Sequence, residues 1–193
     1  MTSPFAWIYD KVLIWSQHPK APWYLGAVSF SESSFFPIPP DVMLAPMTLA
    51  KPDRWFRFAL ITTLASVLGG ILGYFIGVFG IDQITPLLEK WGYLDGLNRA
   101  REWFAEYGFW AVFIAGFSPI PYKVFTIAAG ATGMLFPVFV AASFVGRGAR
   151  FFLVAGLVRV GGAPFEAQIR KHIDLLGVLA IVAIVILVVV LKH

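Results

Sequence analysis

The sequence contains no cysteine and few charged residues for its length. Without cysteine there can be no disulfide bond and no thiolate metal site. Charged residues make up 13% of the 193 positions and hydrophobic residues 59%, whereas about a quarter of a typical soluble domain is charged. One domain of this length cannot bury so much apolar surface away from water. The composition therefore predicts an all-α polytopic membrane protein.

The charges that are present exclude further classes of function. The net charge is only +4 and no dense basic run occurs, so nucleic acid is not an expected partner. His18, His172 and His193 lie outside the segments that carry embedded charges, which argues against a histidine-based phosphotransfer enzyme. Carboxylates could still hold Mg²⁺. We nevertheless predict no enzymatic activity, no metal site and no cofactor.

The apolar segments are of two kinds, continuous and interrupted. Residues 57–80, 137–160 and 173–191 are predicted to span a membrane, because about 20 apolar residues cross a bilayer. Residues 21–50 and 108–136 are apolar but broken by proline and charge, which a straight spanning helix tolerates poorly. Irregular backbone at membrane depth survives only where protein or a water-filled cavity covers it. Each broken segment is therefore predicted to be a re-entrant helical hairpin.

The remaining segments are predicted to lie at the membrane surface. Residues 4–17 are rich in aromatic side chains, which favour the boundary between water and lipid. Residues 81–107 mix charged and aromatic residues and are predicted to form an amphipathic linker helix. No secretory signal is visible near the N-terminus. The whole chain, 1–193, is predicted to be a single membrane domain.

Two sequence blocks recur in the same order. FFPIPPDV at 35–42 matches FSPIPYKV at 117–124 in five of eight positions, at an offset of 82. ASVLGGILGYF at 65–75 matches ASFVGRGARFF at 142–152 in four positions, at an offset of 77. The sequence therefore predicts two repeats, each a broken hairpin followed by a spanning helix. The prolines that mark the two hairpins are Pro37, Pro39, Pro119 and Pro121.

The distribution of charge predicts how the repeats are oriented. If each hairpin returns to its own side, residues 1–57 and 159–172 share one face and carry eight basic residues, whereas 81–107 carries three. The positive-inside bias then places the N-terminus in the cytoplasm and the chain, multi-pass, in the plasma (inner) membrane. Repeat one (about 21–80) and repeat two (about 108–161) consequently enter from opposite faces. This is the inverted-repeat plan of many secondary transporters.

Five charged residues fall within segments predicted to lie at membrane depth: Glu32, Asp41, Lys123, Arg147 and Arg150. Charges there are costly, so they normally pair with one another or face a cavity, and often mark a substrate or proton pathway. Asp41 and Lys123 occupy equivalent positions in the two repeats. Opposite charges at the ends of two facing hairpins could pair directly, either as part of that pathway or as a structural ion pair.

Arg147 and Arg150 replace Gly70 and Gly73 of the first repeat. They are three residues apart and so lie on neighbouring parts of one helix face. Guanidinium groups bind phosphate in a bidentate manner, and glycine in the first repeat would leave space opposite them for a ligand. The pattern indicates a site for an anionic head group, or alternatively two cations that only balance the embedded acids.

The sequence resembles the DedA family of membrane proteins, most closely its YqaA branch, which shares the SNARE-associated-like VTT domain. The resemblance covers roughly residues 20 to 160. It is carried by Glu32, Pro37-Ile38-Pro39-Pro40-Asp41, Phe117, Pro119, Lys123, Ala129-Gly130, Gly146-Arg147 and Arg150. It implies two inverted re-entrant hairpins, and Glu32 and Asp41 as the family's acidic pair. The chain departs from the family at Gly116 and Tyr122, where many members have arginine.

The same resemblance implies movement of lipids between leaflets. Our first hypothesis is a scramblase or flippase of phospholipid or polyprenyl phosphate, with membrane lipids as its partners and the head group crossing a charged cavity between the hairpins. The second is a proton-coupled transporter of a small ion or drug that uses Glu32 and Asp41, since some family members are linked to proton-dependent tolerance. A lipid-phosphate enzyme and a scaffold protein are further alternatives. The sequence leaves a role for protons and a homo-oligomer open.

Overall fold

The computed structural model describes residues 18–34, 39–90, 94–118 and 122–162. Regular structure in these ranges is helical throughout, without any strand. The predicted segments 4–17 and 173–191 lie outside the described residues, as do three of the four hairpin prolines, Pro37, Pro119 and Pro121. The all-helical class is confirmed for the described part of the chain.

Six α-helices and one short 3₁₀ turn, Pro52–Arg54, follow one another in these ranges. Two of the helices contain apolar stretches long enough to cross a bilayer, Pro52–Gln83 and Phe136–Gly162. The helices are α1 (Ala21–Ser34), α2 (Asp41–Ala50), α3 (Trp55–Lys90), α4 (Leu94–Phe117), α5 (Tyr122–Ala131) and α6 (Phe136–Gly162).

Residues 81–107 were predicted to form a separate linker helix, but in the structure they belong to two other helices. The first part continues α3 to Lys90, and the last part is the beginning of α4. No proline occurs between Pro52 and Pro86, so nothing in the sequence ends α3 near residue 80. The polar residues of the linker therefore extend two apolar helices and do not form one helix of their own.

The two long helices, α3 and α6, lie side by side and antiparallel. Near the beginning of α3, the guanidinium of Arg159 lies 5.3 Å from the ring centre of Trp55. Nearer its end, the rings of Tyr74 and Phe139 stack with centroids 4.9 Å apart. The first residues of α3 thus contact the last part of α6, and the later residues of α3 contact its first part.

Helix α1 runs parallel to α3 and ends beside its middle. The Ser29 hydroxyl donates to the Thr62 carbonyl over 2.7 Å, and the Ser33 and Ser66 hydroxyls are 2.7 Å apart, so both pairs have the same separation of 33 residues. Such polar contacts between apolar helices hold them together in a bilayer. With 14 and 10 residues, α1 and α2 are about 21 Å and 15 Å long, shorter than the hydrocarbon layer of about 30 Å.

Helix α5 packs on the second half of α3 through glycines. A Cβ added at Gly77 would overlap the carbonyl oxygen of Ile127, and one at Gly130 would overlap the carbonyl oxygen of Tyr74. Small residues of this kind let two backbones approach closely. The 10-residue helix α5 is therefore seated directly against the backbone of α3.

Apolar side chains form two separate clusters along α3 and α6. The first joins α1 and α2 to the beginning of α3 and the end of α6, through Ala21, Leu25, Leu44, Met47, Phe58, Ala59, Phe151 and Ala155. The second joins α4 and α5 to the later part of α3 and the beginning of α6, through Tyr74, Phe104, Val112, Ala115, Tyr122, Ala129, Met134, Phe139 and Ala142. Two ion pairs, Arg147 with Glu32 and Arg150 with Asp41, lie between these clusters and are called the charged layer below.

Candidate functional site

Arg147 is buried at the centre of the bundle, with 1% of its surface exposed. Its Nη2 lies 2.5 Å from Glu32 Oε2, and its Nε donates to the Ser66 hydroxyl over 2.5 Å. The Ser33 hydroxyl donates to the same Glu32 oxygen over 3.1 Å. A buried charge is tolerated when it is paired and hydrogen-bonded, and this guanidinium meets both conditions.

Aromatic rings surround the same guanidinium. Its central carbon lies 4.9 Å from the ring centre of Tyr122 and 4.7 Å from that of Phe151. Cations at this distance from an aromatic face are stabilised, more strongly where water is excluded. Tyr122 itself is fully buried, and its ring leaves no room for a Cβ at Gly70. The ion pair of Arg147 is therefore closed off from solvent on the α5 side.

Arg150, one helical turn further along α6, joins two other parts of the chain. Its Nη2 lies 2.7 Å from Asp41 Oδ2, and its Nη1 donates to the Ser118 carbonyl over 2.8 Å. Asp41 is the first residue of α2, and Ser118 follows the last residue of α4. The Arg150 and Asp41 side chains are 20% and 25% exposed, whereas in the first pair Glu32 is 20% exposed and Arg147 only 2%. The guanidinium of Arg150 is therefore accessible where that of Arg147 is not.

The two arginines together connect α6 to α1 and α2 and to α5 and the end of α4. Arg147 contacts Glu32 of α1 and Tyr122 of α5. Arg150 contacts Asp41 of α2 and the chain after α4. Arg147 is 11 residues from Phe136 and 15 from Gly162, about 17 Å and 23 Å from the ends of the described helix. The two ion pairs thus lie near the middle of a helix long enough to cross a bilayer.

The structure corrects two details of the sequence analysis. Asp41 pairs with Arg150, and no ion pair joins it to Lys123 among the described residues. The reason is that α5 packs against α3, whereas α6 brings Arg150 to the beginning of α2. The space expected opposite the glycines is also filled, since Cβ atoms at Gly70 and Gly73 would meet α5 side chains.

Several residues of this charged layer were not predicted. Ser33, Ser66 and Tyr122 contact the Arg147 guanidinium, and the Ser118 backbone binds Arg150. Ser66 was one of the identities between the repeats, which was a usable signal. A backbone carbonyl carries no such signal in the sequence, so the contact of Ser118 could only be found in three dimensions.

Asp41 Oδ1 is buried and has no hydrogen-bond partner in the described part of the chain, whereas the buried Tyr122 and Ser143 hydroxyls lie next to one another. Ser143 lies one turn before Arg147 on α6 and is the repeat equivalent of Ser66. Buried polar groups without a partner are uncommon in folded proteins and often mark functional positions. The charged layer therefore retains unused hydrogen-bonding capacity.

Comparison with known proteins identifies the family. Residues 38–160 match the VTT domain, and this range contains Asp41, Lys123, Arg147 and Arg150. The chain belongs to the VTT-domain family, that is, the DedA family. Together with the two long apolar helices, this membership makes it a membrane protein.

Relatives of known sequence extend the comparison. An uncharacterized protein of Haemophilus influenzae is 49% identical over 187 residues, covering 95% of this chain and 97% of its own length. Undecaprenyl phosphate transporter A of Staphylococcus aureus is 34% identical over 93 residues, 45% of this chain and 46% of its own. An alkaline phosphatase-like protein of Lactococcus lactis subsp. lactis is 26% identical over 125 residues, 60% of this chain and 58% of its own. No solved structure matches the chain.

Proposed function

We propose that this protein transports an anionic membrane lipid, either a phospholipid or a polyprenyl phosphate, and that its head group crosses the layer formed by the two arginine–carboxylate pairs. The observation that carries the proposal is the position of Arg147 and Arg150. Both lie about halfway along α6, and each is paired with an acidic residue of another helix. The name of the staphylococcal relative, a transporter of undecaprenyl phosphate, supports the same substrate class.

The proposal includes two re-entrant hairpins, α1 with α2 and α4 with α5, that enter from opposite faces. Ser34 at the end of α1 bonds to the Gly69 carbonyl, and Gly69 is about 25 Å and 21 Å from the two ends of its apolar stretch. The repeat equivalents Gly69 and Gly146 meet the carbonyls of Phe30 and Phe113, one in each hairpin. Equivalent contacts in both halves support an inverted repeat, and the excess of basic residues in 1–57 and 159–172 supports an N-terminus in the cytoplasm, with the chain in the inner membrane.

Within this arrangement Arg150 is the residue that receives the head group. A guanidinium can bind two oxygens of a phosphate at once through two parallel N–H groups, which an ammonium cannot do. Because the Arg150 guanidinium is partly exposed, phosphate can displace the Asp41 carboxylate from it without reaching the buried Arg147 guanidinium. Lys123, half-buried near the beginning of α5, adds a second positive charge to the path. The lipid tails remain in the bilayer beside the exposed aliphatic side chains of α3 and α6.

A second candidate function is proton-coupled transport of a small ion or drug, with Glu32 and Asp41 carrying the proton. The observation that favours it is Asp41 Oδ1, which is buried and has no hydrogen-bond partner in the described residues. An oxygen in that position can accept a proton without losing another contact. Dependence on a proton gradient separates this candidate from a lipid scramblase, which needs none.

Reconstitution tests the proposal. Vesicles of phosphatidylcholine would carry a trace of fluorescent polyprenyl phosphate, phosphatidylglycerol or phosphatidylcholine, and a membrane-impermeant quencher would report the lipid exposed outside. We expect the protein to accelerate exchange of the two lipids with net negative head groups at least tenfold over protein-free vesicles, with the net-neutral phosphatidylcholine slower. Exchange that requires an imposed proton gradient would show that lipid transport is coupled to protons, whereas gradient-driven uptake of a small ion or drug without any lipid exchange would support the second candidate. No acceleration for any lipid, or release of free phosphate, would contradict lipid transport.

A further inference from the structure

The two 10-residue helices, α2 and α5, occupy equivalent places in the two repeats. Val42 of α2 aligns with Val124 of α5 at the repeat offset of 82. Helix α5 packs on the second half of α3, and the aligned part of α6 lies beside α2, where Arg150 pairs with Asp41. The two contacts can therefore be compared position by position.

The contact of α5 with α3 is a contact between backbones. A Cβ added at any of three glycines, two on α3 and one on α5, would overlap an atom of the other helix. These glycines are Gly73, Gly77 and Gly130. Close packing of this kind is a main source of helix association in a bilayer. Because the backbones interlock here, α5 cannot slide or rotate on α3 without a clash.

The contact of α2 with α6 contains no such glycine. The repeat equivalents of the three glycines are Arg150, Val154 and Thr48, and none of the described glycines has an atom of α2 nearest to its Cβ position. Instead, the Arg150 guanidinium pairs with the first residue of α2, and Leu44 and Met47 share an apolar cluster with side chains of α3 and α6. Contacts between side chains can be lost and re-formed one at a time, so α2 is held less rigidly than α5.

Two buried polar atoms of α2 lack a hydrogen-bond partner among the described residues, Asp41 Oδ1 and the Thr48 hydroxyl. Pro46, inside the same helix, has no amide hydrogen, so the hydrogen bond to the Val42 carbonyl one turn earlier is missing. Unpaired polar groups away from water destabilise the state that buries them. These groups therefore favour a second position of α2 in which water reaches them.

The neighbours of α2 are attached independently of it. Helix α1 is held to α3 by hydrogen bonds of its serine hydroxyls and by the close approach of Gly69. Helix α4 is held to α6 through Gly146, which meets a backbone carbonyl of α4. Arg150 keeps a second contact, from Nη1 to the Ser118 carbonyl, that does not involve α2. Loss of Asp41 from Arg150 would thus free α2 and leave the other helices in place.

We infer that the protein opens on one side only, by movement of α2 away from α6 while α5 stays on α3. The Arg150–Asp41 ion pair is the latch, and the 3₁₀ turn Pro52–Arg54, which joins α2 to α3, is the pivot. An anion that takes the place of the Asp41 carboxylate on Arg150 releases the latch. The inference does not rest on the proposed function, because any such anion, or a substitution of Asp41, opens the same contact.

Spin-label distances in the cysteine-free chain test this inference. One double variant carries labels at Val42→Cys and Val145→Cys, which report α2 against α6. Its repeat equivalent carries them at Val124→Cys and Leu68→Cys, which report α5 against α3, and all four positions are exposed. In phosphatidylcholine vesicles, Asp41→Ala should lengthen the first distance by about 5 Å, one helical pitch, and broaden its distribution. The second distance should stay single and narrow, which also shows that the variant is folded.

Asp53→Ala is the matched control, since Asp53 is an exposed acidic residue in the turn after α2, and it should change neither distance. Hydrogen exchange of the unsubstituted chain gives a second measurement, in which amides of 43–50 should exchange at least about tenfold faster than those of 124–131 because local opening exposes them. An unchanged first distance in Asp41→Ala, an equal change in both distances, or equal protection of α2 and α5 would overturn the inference. Lipid exchange by Arg150→Lys is measured separately, so a fixed α2 with rapid lipid exchange in the wild type would remove this inference alone.

Discussion

Replacing Arg147 by methionine is expected to destabilise the folded protein by about 3–5 kcal/mol, because it leaves the mostly buried Glu32 carboxylate without the cation that balances its charge. Glu32→Gln should cost a similar amount, since the Arg147 charge then remains buried between aromatic rings with only hydroxyl partners. The double variant Glu32→Gln, Arg147→Met should recover a substantial part of the loss. The measurement is the fraction that stays monodisperse after heating in detergent, as a function of temperature.

Arg99→Met provides the matched control for this experiment. Arg99 lies on α4 and is exposed. Among the described residues, its side chain makes one hydrogen bond, from Nε to the Asp95 carbonyl. Exposed cations of this kind contribute little to stability, so its loss should shift the melting curve only slightly. If the effects of Glu32→Gln and Arg147→Met simply add in the double variant, the two residues are not energetically coupled.

Arg150→Lys should reduce lipid exchange at least tenfold and leave the folded yield close to normal. The guanidinium binds Asp41 with one nitrogen and the Ser118 carbonyl with another. A lysine ammonium is a compact point charge that cannot occupy both positions or bind phosphate in the same bidentate way. The pair is partly exposed, so water can compensate the lost contact, and stability should fall less than for Arg147. The measurement is the vesicle exchange rate of polyprenyl phosphate.

The control for the second prediction is Arg159→Lys, on the same helix but at its far end beside Trp55. It also exchanges a guanidinium for an ammonium, but away from the charged layer, and exchange should continue at the wild-type rate. Wild-type transport by Arg150→Lys would show that positive charge alone is sufficient, and would remove the head-group role of Arg150.

Asp41→Asn keeps an oxygen acceptor for Arg150 and should therefore fold, with an altered dependence on pH if Asp41 carries a proton.

Local features of the sequence predicted the helices well. The span predicted over 137–160 is found within Phe136–Gly162, and the break predicted at the first Pro-x-Pro block falls between the end of α1 and the beginning of α2. Both follow from hydropathy and proline, which act on neighbouring residues. The end of α3 was predicted too early, because polar residues after Gly80 do not by themselves stop a helix.

The pairing of the charges depends on how distant helices are rotated, which the sequence did not reveal. The repeat alignment placed Asp41 opposite Lys123, but Asp41 binds Arg150 because α6 and not α5 lies beside the beginning of α2. The glycines opposite Arg147 and Arg150 in the alignment indicated free space, yet Tyr122 and Thr126 fill it. The five charges were selected because they fall within apolar segments of the sequence, and their role on a substrate or proton pathway stays a prediction.

The account depends on one arrangement, in which the two hairpins, α1 with α2 and α4 with α5, enter from opposite faces so that their ends meet at Arg147 and Arg150. Because the chain has no cysteine, four single substitutions test it cleanly: Lys20→Cys, Arg54→Cys, Asn98→Cys and Leu135→Cys, all at exposed positions. Each would be labelled in intact cells or oriented vesicles with a membrane-impermeant maleimide. The account predicts that the first two react from the cytoplasmic face and the last two from the opposite face. Labelling of residues 54 and 98 from the same face, or of 20 and 54 from different faces, would contradict it.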